Sequence, residues 1–397
     1  MSTEGSNLNP LRRFREPRAI KGLRQTVVST HNPSTISPGQ PLTVRFPPLS
    51  EHDVIVPGTS RLTFKIFLSS KTDDERTIKP NLGRRIVSKR VIKVNENEVL
   101  SLDSCDVFDD YRDLWLSKRE RTNAAFQGIC NDKVNDSRVK KKTASVTGGD
   151  KALADMYKNR FCIPLDFEML NQVPFYQNGL DRLSFELTFA SAKDVIKSSD
   201  TSATYKVEDI CLEFEKVTNE DIVAQIRREY QELAVLYDRQ LRFRYDIVNK
   251  KDKIWTINLQ QAVKSLKGIL MFFKDDDEFY NPKITKVTVQ IDGVPNQIYA
   301  NGMLPYHQFE EAKKYFGSDK HTFIELSTFL TKYYCLWIDM RVTEANHLHG
   351  SGRRVDDTIS IAIEKESGTS EDIGRYIFVV MDAQINIEDG KFVNVIY

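Results

Sequence analysis

Hydrophobic and polar residues alternate with a period of two along much of this chain. Leu42, Val44 and Phe46 do so, then Leu62, Phe64, Ile66 and Leu68, and later Leu183, Phe185, Leu187 and Phe189. The pattern returns at Leu241, Phe243, Tyr245 and Ile247 and at Ile359, Ile361 and Ile363. Successive side chains of a strand point to opposite faces, so this alternation predicts half-buried antiparallel strands. One run differs. Gly268-Ile269-Leu270-Met271-Phe272-Phe273 is almost unbroken apolar sequence and predicts a strand covered on both faces. The clearest helical spacing is Ile222, Ile226, Tyr230, Leu233 and Tyr237, with Thr218 or Asn219 as cap and Glu220 and Asp221 at the positive end. It predicts a helix over 218–238 that connects two β regions and buries one face between them.

The second half repeats the layout of the first with little residue identity. In the first, Arg90-Val91-Ile92-Lys93-Val94 leads to the polar turn Asn95-Glu96-Asn97-Glu98 and a helix carrying Phe108, Tyr111, Leu114 and Trp115. In the second, Val287-Thr288-Val289-Gln290-Ile291 leads to Asp292-Gly293-Val294-Pro295-Asn296 and a helix carrying Phe309, Ala312, Tyr315 and Phe316. Near the two ends, Asp209-Ile210-Cys211-Leu212-Glu213-Phe214 matches Asp382-Ala383-Gln384-Ile385-Asn386-Ile387 in its alternation. About eight strand candidates per half, with one helix inside a long connection, predict an all-β protein of two eight-stranded jelly rolls with a short interdomain helix. The boundaries are a basic N-terminal arm over 1–40, a jelly roll over 41–217, the helix over 218–238 and a second jelly roll over 239–397.

Length and charge narrow the picture further. A chain of 397 residues suits two domains, each able to bury its own core. With 57 basic and 56 acidic residues, any pull toward nucleic acid or an anionic surface is local. Two stretches are locally basic. Arg12, Arg13, Arg15, Arg18, Lys21 and Arg24 face only Glu4 and Glu16, six against two, among Pro10, Pro17, Pro33 and Pro38. This reads as a detachable arm, either solvated or laid along a neighbour. The connection over 118–142 carries eight basic and three acidic residues, with Arg138, Lys140, Lys141 and Lys142 at its densest. Only Phe126 is interleaved there, so an exposed loop is favoured over a strand-stacking nucleic-acid site. No apolar run reaches the roughly 20 residues of a membrane helix, and the first residues lack a secretory core. Cys105, Cys130, Cys162, Cys211 and Cys335 are scattered without a C-x-x-C spacing, which reads as buried free thiols in a reducing, intracellular space.

Catalytic signatures are missing. The chain has no G-x-S-x-G elbow, phosphate loop, H-E-x-x-H or dinucleotide fingerprint. His347 and His349 have the spacing by which one strand offers two imidazoles to a metal, but they sit in a Gly-rich stretch running to Arg353 and Arg354, as an exposed loop would. Asp275-Asp276-Asp277-Glu278 lacks the carbonyl and Gly positions of a calcium loop and reads as a solvated turn. The expectation is a protein without enzyme activity, metal or other cofactor.

The stretch from Asn281 through Tyr299, with Asn301-Gly302-Met303, resembles the major capsid proteins of Polinton (Maverick) elements and adintoviruses. Leu266-Lys267-Gly268-Ile269-Leu270-Met271-Phe272-Phe273 and Phe309-Glu310-Glu311-Ala312 extend the resemblance, which reaches the first half only through layout. It implies a double jelly roll, homotrimers of pseudohexagonal outline, and an icosahedral virion shell around double-stranded DNA. The partners it implies are neighbouring capsomers, penton and minor capsid proteins, and non-specific contact with packaged DNA. By the same resemblance Arg138, Lys140, Lys141 and Lys142 are candidates for an exposed loop or trimer contact. The arm residues Arg12, Arg13, Arg15, Arg18, Lys21 and Arg24 are candidates for the shell's inner face or an inter-subunit contact. Two alternatives stay open: a double-jelly-roll scaffold that shapes a membrane during virion formation, as poxviruses use, and a jelly-roll metal enzyme or carbohydrate-binding protein built on His347 and His349.

Overall fold

The computed structural model describes residues 23–30, 35–69, 77–79, 81–94, 96–117, 119–121, 160–165, 183–197, 201–229, 232–244, 253–260, 262–275, 278–295, 301–316, 324–341, 352–366, 375–388 and 391–396. The period-two segments within them are strands. The first half supplies β1 (Leu23–Thr30), β2 (Pro41–Arg45), β3 (Arg61–Ser69), β4 (Val87–Val94), β5 (Asn97–Asp103), β6 (Arg160–Pro164), β7 (Leu183–Phe189) and β8 (Thr204–Thr218). The second supplies β9 (Glu232–Phe243), β10 (Ile254–Gln260), β11 (Val263–Asp275), β12 (Ile284–Ile291), β13 (Val294–Pro295), β14 (Cys335–Asp339), β15 (Thr358–Lys365) and β16 (Arg375–Glu388).

In the first half the sheets run β1-β8-β3-β6 and β2-β7-β4-β5; in the second, β9-β16-β11-β14 and β10-β15-β12-β13. Among these sixteen strands, adding eight to a number converts one half into the other; seven further strands, Lys391–Ile396 beside β16 among them, lie outside the correspondence. Every pairing among these strands is antiparallel, and in each half the first of the eight lies beside the eighth. This is the two-sheet arrangement of a jelly roll, present twice. Alternation explains the packing: Leu62, Phe64, Ile66 and Leu68 of β3 and Ile359, Ile361 and Ile363 of β15 are all fully buried. The repeated turns are hairpins. Asp292 and Gly293 both adopt positive φ, the geometry of a two-residue connection whose twist matches its strands. The polar run Asn95–Glu98 is tighter than its composition suggests, because Asn97 and Glu98 already pair with Val94 and Lys93 as the start of β5.

Five helices complete the elements used below: α1 (Leu82–Arg85), α2 (Cys105–Asp113), α3 (Glu220–Glu229), α4 (Pro305–Phe316) and α5 (Leu326–Thr331). Helices α2 and α4 follow β5 and β13, as the repeat predicts.

Two expected boundaries are corrected. The connecting helix ends at Glu229 rather than 238, and 232–243 is strand β9, paired residue for residue with β16 from Glu232↔Glu388 to Phe243↔Ile377. A spacing of four, as from Leu233 to Tyr237, satisfies a helix and a strand equally, and here the twelve-residue ladder wins. Nor does α3 bury its face between the rolls. Asn219 caps it by accepting the Ile222 N–H at 2.9 Å, and Ile222, Val223 and Ile226 pack on Val54 and Val217 of the first roll. The arm over 1–40 is not detachable throughout. Leu23–Thr30 is β1, hydrogen-bonded along β8, and Ile36 pairs with Val207 and is 1% exposed. Pro17 and Pro33 forbid a helix across this region, but they flank the strand rather than interrupt it.

Candidate functional site

The two rolls meet at a seam built around α2. The helix carries Phe108 and Tyr111 three residues apart, and Trp115 lies four beyond Tyr111, so the three rings share one face. That face lies on the outer surface of the second roll's β9-β16-β11-β14 sheet. Phe108 stands edge-on to Phe272 of β11 and Phe378 of β16, with ring centroids 6.1 and 5.4 Å away. Tyr111 packs on Phe272 at 4.4 Å and edge-on to Phe279 at 5.0 Å, and its hydroxyl donates to the Tyr333 carbonyl. Trp115 stacks on Phe316 at 5.4 Å and reaches Phe309 and Phe329 of α4 and α5. The unbroken run Ile269–Phe273 is thereby explained: one set of side chains fills the second roll and the other meets the first.

The opposite side of α2 is acidic and equally buried. Asp109 pairs with Arg90 at 3.4 Å and Arg112 at 3.2 Å, Asp110 with Arg85 at 2.9 Å, and Asp113 with Arg84 at 3.0 Å. Asn81, held at φ 57, donates to Asp110 at 2.9 Å. Burial pushes the Asp113 carboxyl up against the opposing pull of Arg84. These partners all belong to the first roll, and they hold α2 in position.

Across the seam the charges are one-sided. The first roll contributes Glu98, Asp103 and Asp110; the second contributes Arg239, Arg242, Arg244 and Lys274. Arg242 lies 3.3 Å from Asp103, donates also to the Ser104 hydroxyl, and covers the Tyr376 ring at 4.7 Å. Lys274 reaches Asp110 at 3.7 Å. Tyr237 of β9 donates to the Val99 carbonyl of β5 at 2.7 Å. Asp106, at the rim, is pushed up to about 7 by burial, against the attraction of Lys274 and with repulsion from Asp194 and Asp110. A one-sided arrangement draws the basic margin to the acidic one and disfavours pairing either margin with its own kind, where like charges would meet.

Of the residues singled out from the sequence, Arg24 lies on β1, largely exposed, with its Nε donating to Glu215 at 2.7 Å. Arg12, Arg13, Arg15, Arg18, Lys21, Arg138, Lys140, Lys141, Lys142, His347, His349, Asp276 and Asp277 lie outside the described residues. Among the described residues no group of three or more His, Cys, Asp or Glu side chains could hold a metal ion. Cys105 and Cys335 are buried free thiols, Cys162 is buried and Cys211 is half-buried, whereas Cys130 falls outside the described residues. Burial raises Cys105 well above the ordinary thiol range and pushes Cys335 up to about 12, which keeps both unreactive. The seam itself was foreshadowed by the apolar run of β11 and by the aromatic content of α2. Its charged partners were not, because Arg239, Arg242 and Lys274 sit in strands with no spacing to mark them.

No protein-family model matches the chain, and no curated protein matches it in sequence. Solved structures do match, over nearly the whole length. The fold is similar to that of PBCV-1 VP54 as fitted into a cryo-EM reconstruction of the virophage Sputnik, at TM-score 0.61 and 9% identity, covering 97% of this chain and 99% of that one. It is similar to the Sputnik virophage cryo-EM structure at TM-score 0.58 and 10% identity, covering 96% and 90%. The mavirus major capsid protein matches at TM-score 0.54 and 11% identity, covering 93% and 89%. At these identities the likeness establishes the fold: this chain is a double jelly roll.

Proposed function

We propose that this protein is a viral major capsid protein whose work is self-assembly rather than catalysis. The observation that carries the reading is the seam: two complete jelly rolls joined through one continuous core into a single unit, with a likeness to viral capsid structures that spans both rolls. Three such units placed head to tail present six similar lobes with threefold chemistry, the outline a pseudohexagonal capsomer requires. Those capsomers tile an icosahedral virion shell around double-stranded DNA, meeting neighbouring capsomers and penton and minor capsid proteins. No helix among the described residues is long and apolar enough to cross a membrane. The absence of recognisable catalytic motifs in the sequence agrees with a structural role.

Analysis of purified virions tests this. The chain is expected as the most abundant component of a stable shell that survives maturation. A chain present on immature membranes and lost on maturation supports the scaffold role instead. Stoichiometric iron or zinc in the purified protein supports an enzyme.

A further inference from the structure

Away from the seam, the sheets β2-β7-β4-β5 and β10-β15-β12-β13 carry unlike residues on their outer faces. In the second roll, Trp255, Ile257 and Leu259 of β10 and Ile359, Ile361 and Ile363 of β15 fill the core, so the alternate residues make the outer face. Pairing aligns them in rows across three strands: Thr256, Ala362 and Thr288 in one, Asn258, Ser360 and Gln290 in the next. All six are exposed or half-buried, and none is charged. Charge returns at the two ends. Lys286 stands opposite Glu364 at one, and at the other Asp292 accepts the N–H groups of Asp357 and Thr358, each at 3.0 Å. The matching face of the first roll is different. Arg45 and Lys93 align through Ser184, Lys89 stands opposite Thr188, and Lys93 donates to Glu186 at 2.7 Å.

Two faces of one topology therefore differ in what they can bury. Covering the first roll's face strips water from its charges, which is costly unless each finds a partner. The second roll's face has no such cost at its centre, and an uncharged centre within a charged rim is the composition of a contact surface. Its middle strand β15 presents only Thr358, Ser360 and Ala362, short enough for another sheet to approach to about 10 Å. Hydroxyl and carboxamide groups both donate and accept, so the face hydrogen-bonds to its own kind, and it holds no charge to select an unlike partner. Three strands by three rows, closed by Gln260 opposite Thr358, cover roughly 300 Å² per copy at ordinary sheet spacings. A stable complex buries about 800 Å² per partner, so one such contact is weak and gains strength by repetition.

We infer that the outer face of the second roll's β10-β15-β12-β13 sheet docks against the same face of a second copy, centred on Ser360 and Ala362, as a lateral contact between neighbouring capsomers. The contact is isologous: each copy offers the same patch about a two-fold axis. This inference rests on the assembly reading above and adds to it a surface that the in-chain seam does not use. It also gives the two rolls separate tasks. The first roll's charged face stays in water, and the second roll's uncharged face meets a neighbour.

Charge swapping tests the pairing. Ala362→Lys and Ala362→Glu are made in the full chain and followed by sedimentation velocity over a concentration series under assembly conditions. Each variant alone is expected to keep the wild-type thermal midpoint and the wild-type particle mass in dilute solution. Further association of those particles is expected to weaken at least about tenfold, because like charges then meet across the contact. An equal mixture of the two is expected to regain wild-type association, since Lys then meets Glu. Thr43→Lys, on the matching face of the first roll, is expected to associate as wild type does. Ser360→Lys and Ser360→Glu give the same reading if an Ala362 variant lowers the thermal midpoint. Undiminished association of the single variants overturns the inference and leaves the capsid reading standing. A mixture as defective as its components also overturns it, because the face then meets a different surface. A wild-type chain that forms no larger assembly removes the inference and the capsid reading together.

Discussion

The sheets β1-β8-β3-β6 and β9-β16-β11-β14 have the same strand order, yet their outer faces differ. On the first, Arg24 pairs with Glu215, Arg61 with Glu213 at 3.0 Å and Lys65 with Asp209. On the second, Phe272 and Phe378 are fully buried beneath α2. One face is a polar surface and the other is half of a core. Two sheets of one topology therefore serve differently: the second roll's sheet is the floor on which the first roll stands, and the first roll's sheet carries charged pairs on its outer face. Topology alone would not distinguish them; the outward residues do.

Substitutions on the two faces should differ in cost. Phe272→Ala removes a ring from the centre of the seam and should destabilise the chain by about 3–5 kcal/mol, whereas Val28→Ala on the open face should stay within about 0.5 kcal/mol. Denaturant unfolding of the two variants side by side measures the difference. Gly268 belongs to the same class of effect. A Cβ there would lie 2.4 Å from Trp337 and 2.6 Å from the Ile338 carbonyl oxygen, so Gly268→Ala should cost about 1–3 kcal/mol through overpacking.

Charge sharpens the same comparison. Lys274→Met removes a nearly buried cation from Asp110, which keeps Arg85, and should cost about 2 kcal/mol or more. Lys65→Met breaks an exposed pair on the open face and should cost about 0–1 kcal/mol. Equal losses in the two variants would show that the seam is no drier than the surface.

Truncation separates the two parts of the N-terminal region. Deleting 1–22 stops short of β1, which begins at Leu23, and should leave its ladder with β8 in place. Deleting 1–40 removes β1 and Ile36 and should cost at least about 2 kcal/mol from the buried Ile36 side chain alone. Circular dichroism melts of the two deletions measure what β1 and Ile36 contribute.

A pH dependence is also expected, and its sign differs between two carboxyls. Asp106 is raised from 3.8 to about 7, so between those values the unfolded chain has ionised it while the folded chain retains the proton. Its contribution to stability therefore declines as pH rises across that window. Asp106→Asn should raise the melting temperature relative to wild type at and above pH 7, with the gain vanishing below about pH 4. Asp53 behaves oppositely. Burial opposes its ionisation, but hydrogen bonds from Lys216, Thr218 and the Ser50 N–H more than offset this and lower it to about 2. Its stabilisation is present above 3.8 and is lost as pH falls through about 2. Melting curves across pH 2–8 for wild type, Asp106→Asn and Asp53→Asn separate the two contributions.

Much of the fold was legible in the sequence because alternation reports burial on one face of a strand directly. The repeat of β4–β5–α2 in β12–β13–α4 was readable for the same reason, and the apolar run of β11 announced a strand with no open face. The errors came where two periods coincide or where pairing is remote. Leu233 and Tyr237 fit a helix and a strand alike until β16 supplies the ladder, 145 or more residues away. Strand β1 depends on β8 in the same manner. The seam's ion pairs join residues such as Asp103 and Arg242 that no local pattern relates.

In the proposed role this double roll is the repeating unit of a trimeric capsomer. Light scattering of the purified chain, with negative-stain images of the same sample, tests it most directly. Particles of three subunits with a six-lobed, pseudohexagonal outline are expected; a chain that remains a monomer under assembly conditions would rule the proposed role out.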